Sequence, residues 1–271
     1  MNDMTQPATL SDTEFRQIIA IAFKEAGLEI PEAKKSLVQS RVARRMRALG
    51  FDDCHGYLAA LDGNDEETEN LVSALTTNVS HFFREMHHFQ TLREAFLTSP
   101  SPGKLRFWSA GCSNGQEPYS LAIEILRKVP DAANRDILIL ASDIDRNVLN
   151  KAQKGIYTSS EIENVPLEDR NAFFHSRDDG TYEAKEALKA LVRFRQLNLN
   201  GPTWPMQGPF DAILCRNVVI YFNDKTQAKL WPRFRALLKP QGYLMLGHSE
   251  RIQDPAESGF ETAGVTTYRT T

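Results

Sequence analysis

From Leu105 onward the chain alternates short apolar runs with stretches of helical periodicity, and that alternation restricts its fold more than any other feature. L-R-F-W-S-A precedes a helical pattern from Glu117 to Lys128, I-L-I-L-A-S precedes one from Arg146 to Lys154, and F-D-A-I-L-C precedes one from Lys225 to Lys239. Apolar runs of strand length separated by helices read as βαβ units, because parallel strands need a crossover between them. Y-L-M-L-G-H and strand-like runs around Phe260 and from Thr266 to Arg269 complete the series. The rhythm breaks between Tyr157 and Leu199, where a helical piece behind Pro166, an Asp179-Gly180 turn and the strand-like A-L-V-R-F-R-Q-L read as an insertion carrying a small antiparallel hairpin.

Residues 10 to 98 show helical patterns only. Ser11 and Glu14 have capping-box spacing ahead of Phe15, Ile18, Ile19 and Ala22 on one face, and Gly27 ends that helix. A second helix is expected from Ala33 to Leu49, with Val38, Val42, Met46 and Leu49 a turn apart and Gly50 as its stop. Further helical patterns cover His55 to Leu61, Glu66 to Thr76 and Glu85 to Leu97. S-P-S-P-G-K, Ser99 to Lys104, is the strongest linker signal. The expected organisation is a helical domain over 1–98, a linker over 99–104 and an α/β domain over 105–271 with its insertion at about 157–199.

A chain of 271 residues can bury a substantial core without staples. Cys54, Cys112 and Cys215 are far apart and odd in number, so reduced thiols serving as packing residues are expected. No basic segment leading into an apolar run begins the chain, and no stretch approaches the roughly 20 apolar residues that span a bilayer. A soluble, cytoplasmic protein without membrane insertion is expected. The net charge of -3 argues against a nucleic-acid partner, although Lys34 to Arg47 holds six basic residues.

S-A-G-C-S-N-G-Q-E-P-Y-S follows the first strand and opens a helix, placing Gly111 and Gly115 where the chain turns sharply and a ligand approaches backbone. Taken alone, the loop reads equally well as a tight strand-to-helix turn. Asp143, ending the second strand in A-S-D-I-D, offers a carboxylate to two ribose hydroxyls, and the two signals together indicate a ribose-bearing cofactor. Ser113 occupies the place of the middle glycine of a dinucleotide fingerprint, which weakens a nicotinamide oxidoreductase reading. Glu117, in the first helical turn, would repel a pyrophosphate but suits the ammonium of S-adenosylmethionine; its structural alternative is a helix N-terminal charge. The helix, Pro-Gly turn and strand of L-L-K-P-Q-G-Y-L-M-L also occur late in many Rossmann-like methyltransferases.

Four segments together resemble one family, the CheR chemotaxis-receptor glutamate methyltransferases. They are T-T-N-V-S-H-F-F-R-E, W-S-A-G-C-S-N-G-Q-E-P-Y-S, G-P-F-D-A-I-L-C-R-N-V-V-I-Y-F and L-L-K-P-Q-G-Y-L-M-L-G-H-S-E, in order across most of the chain. The resemblance implies an α/β fold: a Rossmann-like class I methyltransferase sheet with a small inserted antiparallel β-subdomain, preceded by an all-helical domain that recognises substrate. It implies methyl transfer from S-adenosylmethionine to receptor glutamates, leaving S-adenosylhomocysteine, with the cytoplasmic helical region of chemotaxis receptors as partner. It also implies cofactor contacts from Asn78, Ser80, Arg84, Glu117 and Asp143, with Asn198 and Leu199 beside the adenine and Arg216 and Asn217 at the next strand end. Ser80 stands where threonine is common in the family and keeps the hydroxyl. Many members grip a receptor C-terminal peptide with the β-subdomain, but the hairpin F-F-H-S-R-D-D-G-T-Y-E is short for that tether.

A glutamate acceptor is already anionic at neutral pH, so no strong base is required and positioning dominates. Arg84 is expected to hold the cofactor's carboxylate or one acceptor oxygen, and Tyr221 either orients the reactants or seals the sheet end. Lys34, Arg41, Arg44 and Arg45 form an arc beside the apolar face of the second helix, suited to an acidic substrate helix or to plain solvation. The six histidines show no ligand spacing and His87 and His88 are expected on different sides of a helix, so no metal is expected.

Overall fold

The computed structural model describes residues 10–76, 79–98 and 103–271; the N-terminal segment, Thr77, Asn78 and most of the Ser99–Lys104 linker lie outside the described residues. The chain divides into two compact units, one running through residue 76 and including Tyr221–Thr226, the other formed by the remainder.

The helical unit contains α1 (Asp12–Ala26), α2 (Lys35–Leu49) behind a single 3-10 turn, α3 (Cys54–Leu61) and α4 (Asp65–Leu75). Local chemistry sets these bounds. Ser11 and Glu14 close a reciprocal capping box, and Gly27 and Gly50 end α1 and α2 in the left-handed region at φ 72° and 76°. Phe15, Ile18, Ala22, Val38, Val42, Met46 and Leu71 are buried along the facing stripes, each large side chain worth roughly 1.5–3 kcal/mol of removal from water.

In the second unit α5 (Met86–Phe96) leads into β1 (Leu105–Ala110), α6 (Gln116–Lys128), β2 (Ile137–Asp143) and α7 (Arg146–Lys154). There follow β3 (Ile156–Tyr157), α8 (Leu167–Phe173), β4 (Phe174–Ser176), β5 (Tyr182–Ala184), α9 (Glu186–Leu191), β6 (Val192–Gln196) and β7 (Phe210–Cys215). The chain ends with α10 (Asp224–Leu237), β8 (Leu238–Leu246), β9 (Phe260–Gly264) and β10 (Thr267–Thr270). The large sheet has the order β6-β2-β1-β7-β8-β10-β9, parallel from β6 through β8, with β10 antiparallel to both β8 and β9. β7 is buried along its whole length, as a strand covered on both faces must be.

Two sequence expectations are corrected. The division falls at residues 77–78, ahead of α5, because Phe83, Phe89 and Leu92 pack into the same core as Phe107 and Leu121. The run A-L-V-R-F-R-Q-L is not part of the insertion's hairpin: β6 pairs in parallel with β2 as the edge of the large sheet, and the inserted antiparallel sheet is β3-β5-β4. Alternation of apolar and polar residues in an edge strand does not encode which sheet the strand joins.

Candidate active site

The candidate residues follow the carboxyl ends of parallel strands: Gly111 after β1, Asp143 closing β2, Asn198 and Leu199 after β6, Arg216 and Asn217 after β7. Strand order changes direction between β1 and β7, and ligands of α/β sheets bind outside such a switch point.

The loop after β1 is hung from β2. The amides of Gly111 and Cys112 donate to the Ser142 carbonyl at 2.7 and 2.9 Å, and the Ser113 amide donates to Asp143 Oδ2 at 2.8 Å. The other oxygen, Oδ1, accepts from the Asp145 amide at 3.0 Å, so Asp143 builds the loop as well as facing it. Burial raises the Asp143 carboxyl above its ordinary pKa, against the lowering by these amides. Gly111 and Gly115 adopt φ of +85° and +87°, and their missing Cβ atoms make room for protein: a Cβ on Gly111 would stand 2.2 Å from Val218 Cγ2, one on Gly115 2.9 Å from Ala152 Cβ. Their glycine character is therefore accounted for by turn and packing. Ser113, in the place of a dinucleotide fingerprint's middle glycine, also sits in the left-handed region at φ 49°.

Glu117 is held from two sides. Ser109 Oγ donates to its Oε1 at 2.6 Å, and Arg216 Nη1 donates to Oε2 at 3.0 Å. Burial nevertheless pushes its pKa upward. Arg216, with a side chain only 1% exposed, also donates from Nη2 to the Arg84 carbonyl and packs over the Phe89 ring. Arg84 itself is half-buried, with Nη1 donating to the Val79 carbonyl at 3.1 Å, and Ser80 is half-buried beside that turn. After β6, the Leu197 amide bonds the Asp143 carbonyl at 2.9 Å, and Asn198 Oδ1 accepts from the Asn200 amide, also at 2.9 Å. Leu199 is buried.

Glu250 is a site residue that sequence reasoning missed. It is buried and accepts from the amides of Asn217 at 2.8 Å, Gly247 at 2.5 Å and Ile220 at 3.2 Å, fixing Asn217 at φ 60°. Its S-E dipeptide carried no local signal for this, since the donors belong to a turn some thirty residues earlier and to the strand end before it.

The predicted basic arc separates by role in the helical unit. Arg45 is bound by Glu67 through Nε at 3.0 Å and through Nη2, and Glu67 also accepts from Tyr57 Oη at 2.8 Å. Arg41 Nη1 donates to the Leu75 and Thr76 carbonyls at 2.7 and 2.8 Å, capping the end of α4. Lys34 and Arg44 remain exposed. Tyr221 belongs to this unit, its carbonyl accepting from the Glu29 amide at 2.8 Å and its ring 5.9 Å from Lys34 Nζ. Lys34, Arg41, Leu28 and Tyr221 line one open cavity.

The histidine expectation is also corrected. The rings of His87 and His88 lie against each other, 4.1 Å between centroids, and Glu85, His87 and His88 bring one potential ligand atom each within 4.8 Å of one another. Helical spacing alone separates adjacent residues by about 100°, yet the two rings meet beside Glu85.

A doubly wound sheet with an anchored loop after its first strand and a buried aspartate after its second suits a nucleoside-bearing cofactor. The loop also leaves Ser113 Oγ and Gln116 Oε1 buried without hydrogen-bond partners, polar atoms of the kind such a ligand satisfies. These features, with the domain matches that follow, define an S-adenosylmethionine-dependent methyltransferase. The chain belongs to the CheR methyltransferase family: the family's S-adenosylmethionine-binding domain matches residues 78–269 and its all-alpha domain matches residues 13–76. It is 41% identical to the chemotaxis protein methyltransferase of Salmonella typhimurium, over 98% of this chain and 92% of that one. The Escherichia coli protein of the same name is 39% identical over 98% and 93% of the two chains, and chemotaxis protein methyltransferase 2 of Pseudomonas aeruginosa 39% over 88% and 86%. No helix among the described residues is long and apolar enough to cross a membrane.

Proposed function

We propose that this protein transfers a methyl group from S-adenosylmethionine to glutamate side-chain carboxylates of chemotaxis receptors, giving glutamate methyl esters and S-adenosylhomocysteine, as part of chemosensory adaptation in the cytoplasm. The observation that carries the reading is the meeting of the Asp143-anchored loop and the Arg216–Glu117 pair within the region matched to the family's cofactor-binding domain. Relatives similar over nearly the whole chain bear the name of chemotaxis protein methyltransferase, which supports the receptor as substrate.

S-adenosylmethionine, when bound, supplies an electrophilic methyl on a sulfonium. Asp143 has lone pairs beyond its two amide bonds that would receive ribose hydroxyls, and Asn198 and Leu199 would hold the adenine side. Asn78, Ser80 and Arg84, which precede the loop in sequence, would hold the amino-acid end, with Glu117 available to its ammonium and Arg84 or Arg216 to its carboxylate; Asn217 would complete the strand end. The acceptor carboxylate, as a glutamate side chain with an ordinary pKa of about 4.3, arrives ionised, so the protein's task is to orient it and exclude water. Where Arg216 takes the cofactor's carboxylate, Arg84 positions one acceptor oxygen without a full clamp, which would stabilise the ground state equally. The Tyr221 hydroxyl orients the acceptor.

The helical domain recognises the helical region of the receptor, with Lys34 and Arg44 as its accessible cations and Arg41 beside them. The inserted sheet has strands of only two or three residues, and we assign it no receptor tether. The test is incubation of receptor cytoplasmic fragments with methyl-labelled cofactor. Label released as volatile methanol in mild base is the expected result; base-stable label or none refutes glutamate esterification.

A further inference from the structure

Three of the six histidines gather around one carboxylate at the start of α5, and none of that is needed by the methyl-transfer site as described. Glu85 sits in the left-handed region at φ 53°, a conformation that costs a non-glycine residue about 1 kcal/mol or more, and its carboxylate lies beside the rings of His87 and His88. Three buried atoms there accept or donate no hydrogen bond: Glu85 Oε2, His87 Nε2 and His88 Nδ1. His88 is fully buried, and its Nδ1 faces Glu85 Oε2 at 3.6 Å. Buried polar atoms are nearly always hydrogen-bonded, so three on one centre without a hydrogen bond, one of them facing the Arg216 guanidinium at 3.4 Å, call for a shared partner.

We propose that Glu85, His87 and His88 form a binding site for a divalent transition ion of the zinc class, using Oε2, Nε2 and Nδ1 as ligands. Imidazole and carboxylate are the donor set such ions take, and three protein ligands leave a fourth position for water or a side chain. The surroundings supply the supporting contacts. His88 Nε2 lies 3.1 Å from Thr266 Oγ1, an outer hydrogen bond that fixes the ring with Nδ1 inward. Glu85 Oε1 accepts from the His248 amide at 3.1 Å and lies 3.2 Å from His248 Nδ1; that ring is 65% exposed and gives an ion a way in from solvent. Tetrahedral donors on zinc are about 3.3–3.6 Å apart, so the trio closes by side-chain rotations of about an ångström.

One group opposes the ion. Arg216 Nη2 stands 3.4 Å from the same Glu85 Oε2, and a cation there competes with the guanidinium. Glu85 and Glu117 together outnumber Arg216 by one charge, which keeps the neighbourhood receptive to a cation, and occupancy shifts Arg216 toward Glu117.

The test uses tag-free full-length protein, stripped with a chelator and titrated with zinc chloride by calorimetry, with metal content measured after removal of unbound ion. One zinc per chain is expected, with at least tenfold weaker binding in Glu85→Gln and in His87→Gln, each checked for an unchanged unfolding profile without metal. Substoichiometric binding by the parent, or parental affinity in both variants, overturns the site and leaves the ion on surface histidines. If either variant fails to fold, cobalt added to the parent decides: intense visible bands of a tetrahedral complex, removed by zinc, support the site, and their absence overturns it.

Discussion

Arg216 Nη1 lies 3.0 Å from Glu117 Oε2, so the residue after β7 is bonded to the first turn of α6 across 99 positions of sequence. Both partners are buried, and removing one strands the other; such a loss costs about 3–5 kcal/mol. Arg216→Met should lower the melting temperature markedly, and adding Glu117→Gln should recover part of that loss. Calorimetric unfolding of the two single variants and the double checks the coupling; strictly additive losses would remove it.

Asp143 binds both the loop and, by proposal, the ribose, so its replacement acts twice. Asp143→Ala should weaken S-adenosylhomocysteine binding by roughly tenfold to a hundredfold, about 1.5–3 kcal/mol, and should also reduce stability because the Ser113 and Asp145 amides lose their acceptor. Titration and thermal unfolding together report the two effects.

Among the described residues Arg84 donates one hydrogen bond, to a carbonyl five residues away, so Arg84→Ala should leave the melting temperature near that of the parent while methyl transfer falls steeply. Tyr221→Phe removes only a hydroxyl. Reduced turnover in the folded variant is expected; full activity would leave Tyr221 to its packing beside Lys34.

The arginines of α2 should separate in experiment as they do in the structure. Arg45→Ala deprives buried Glu67 of its charged partner, leaving the Tyr57 hydroxyl, and should cost about 1–3 kcal/mol of stability. Lys34→Glu with Arg44→Glu should spare folding, raise the Michaelis constant for receptor and flatten its salt dependence, since exposed charges are screened over about 8–10 Å at physiological ionic strength. Parental kinetics at every salt concentration would remove these residues from receptor recognition.

Thiol chemistry should be nearly silent in the native state. Burial pushes the Cys54 thiol up to about 11 and those of Cys112 and Cys215 well above their ordinary value. At pH 8 about a thousandth of Cys54 is thiolate, so iodoacetamide should label the folded protein slowly, faster as pH rises toward 11, and label all three cysteines on unfolding.

Sequence by itself determined the features whose causes are local. The Ser11–Glu14 box, the glycine stops of α1 and α2, the strand runs and the turn at Gly111 follow from residue types acting on neighbours a few positions away. Family resemblance carried the cofactor and the candidate positions further than spacing alone. Tertiary structure decided everything whose partner is distant in sequence. It placed β6 in the large sheet, paired Arg45 with Glu67 and Arg216 with Glu117, made Glu250 the acceptor for the Asn217 turn, and turned His87 and His88 onto Glu85. A charged side chain has the same sequence signature whether it meets water or a buried partner, and only the packed chain fixes which of the two it finds.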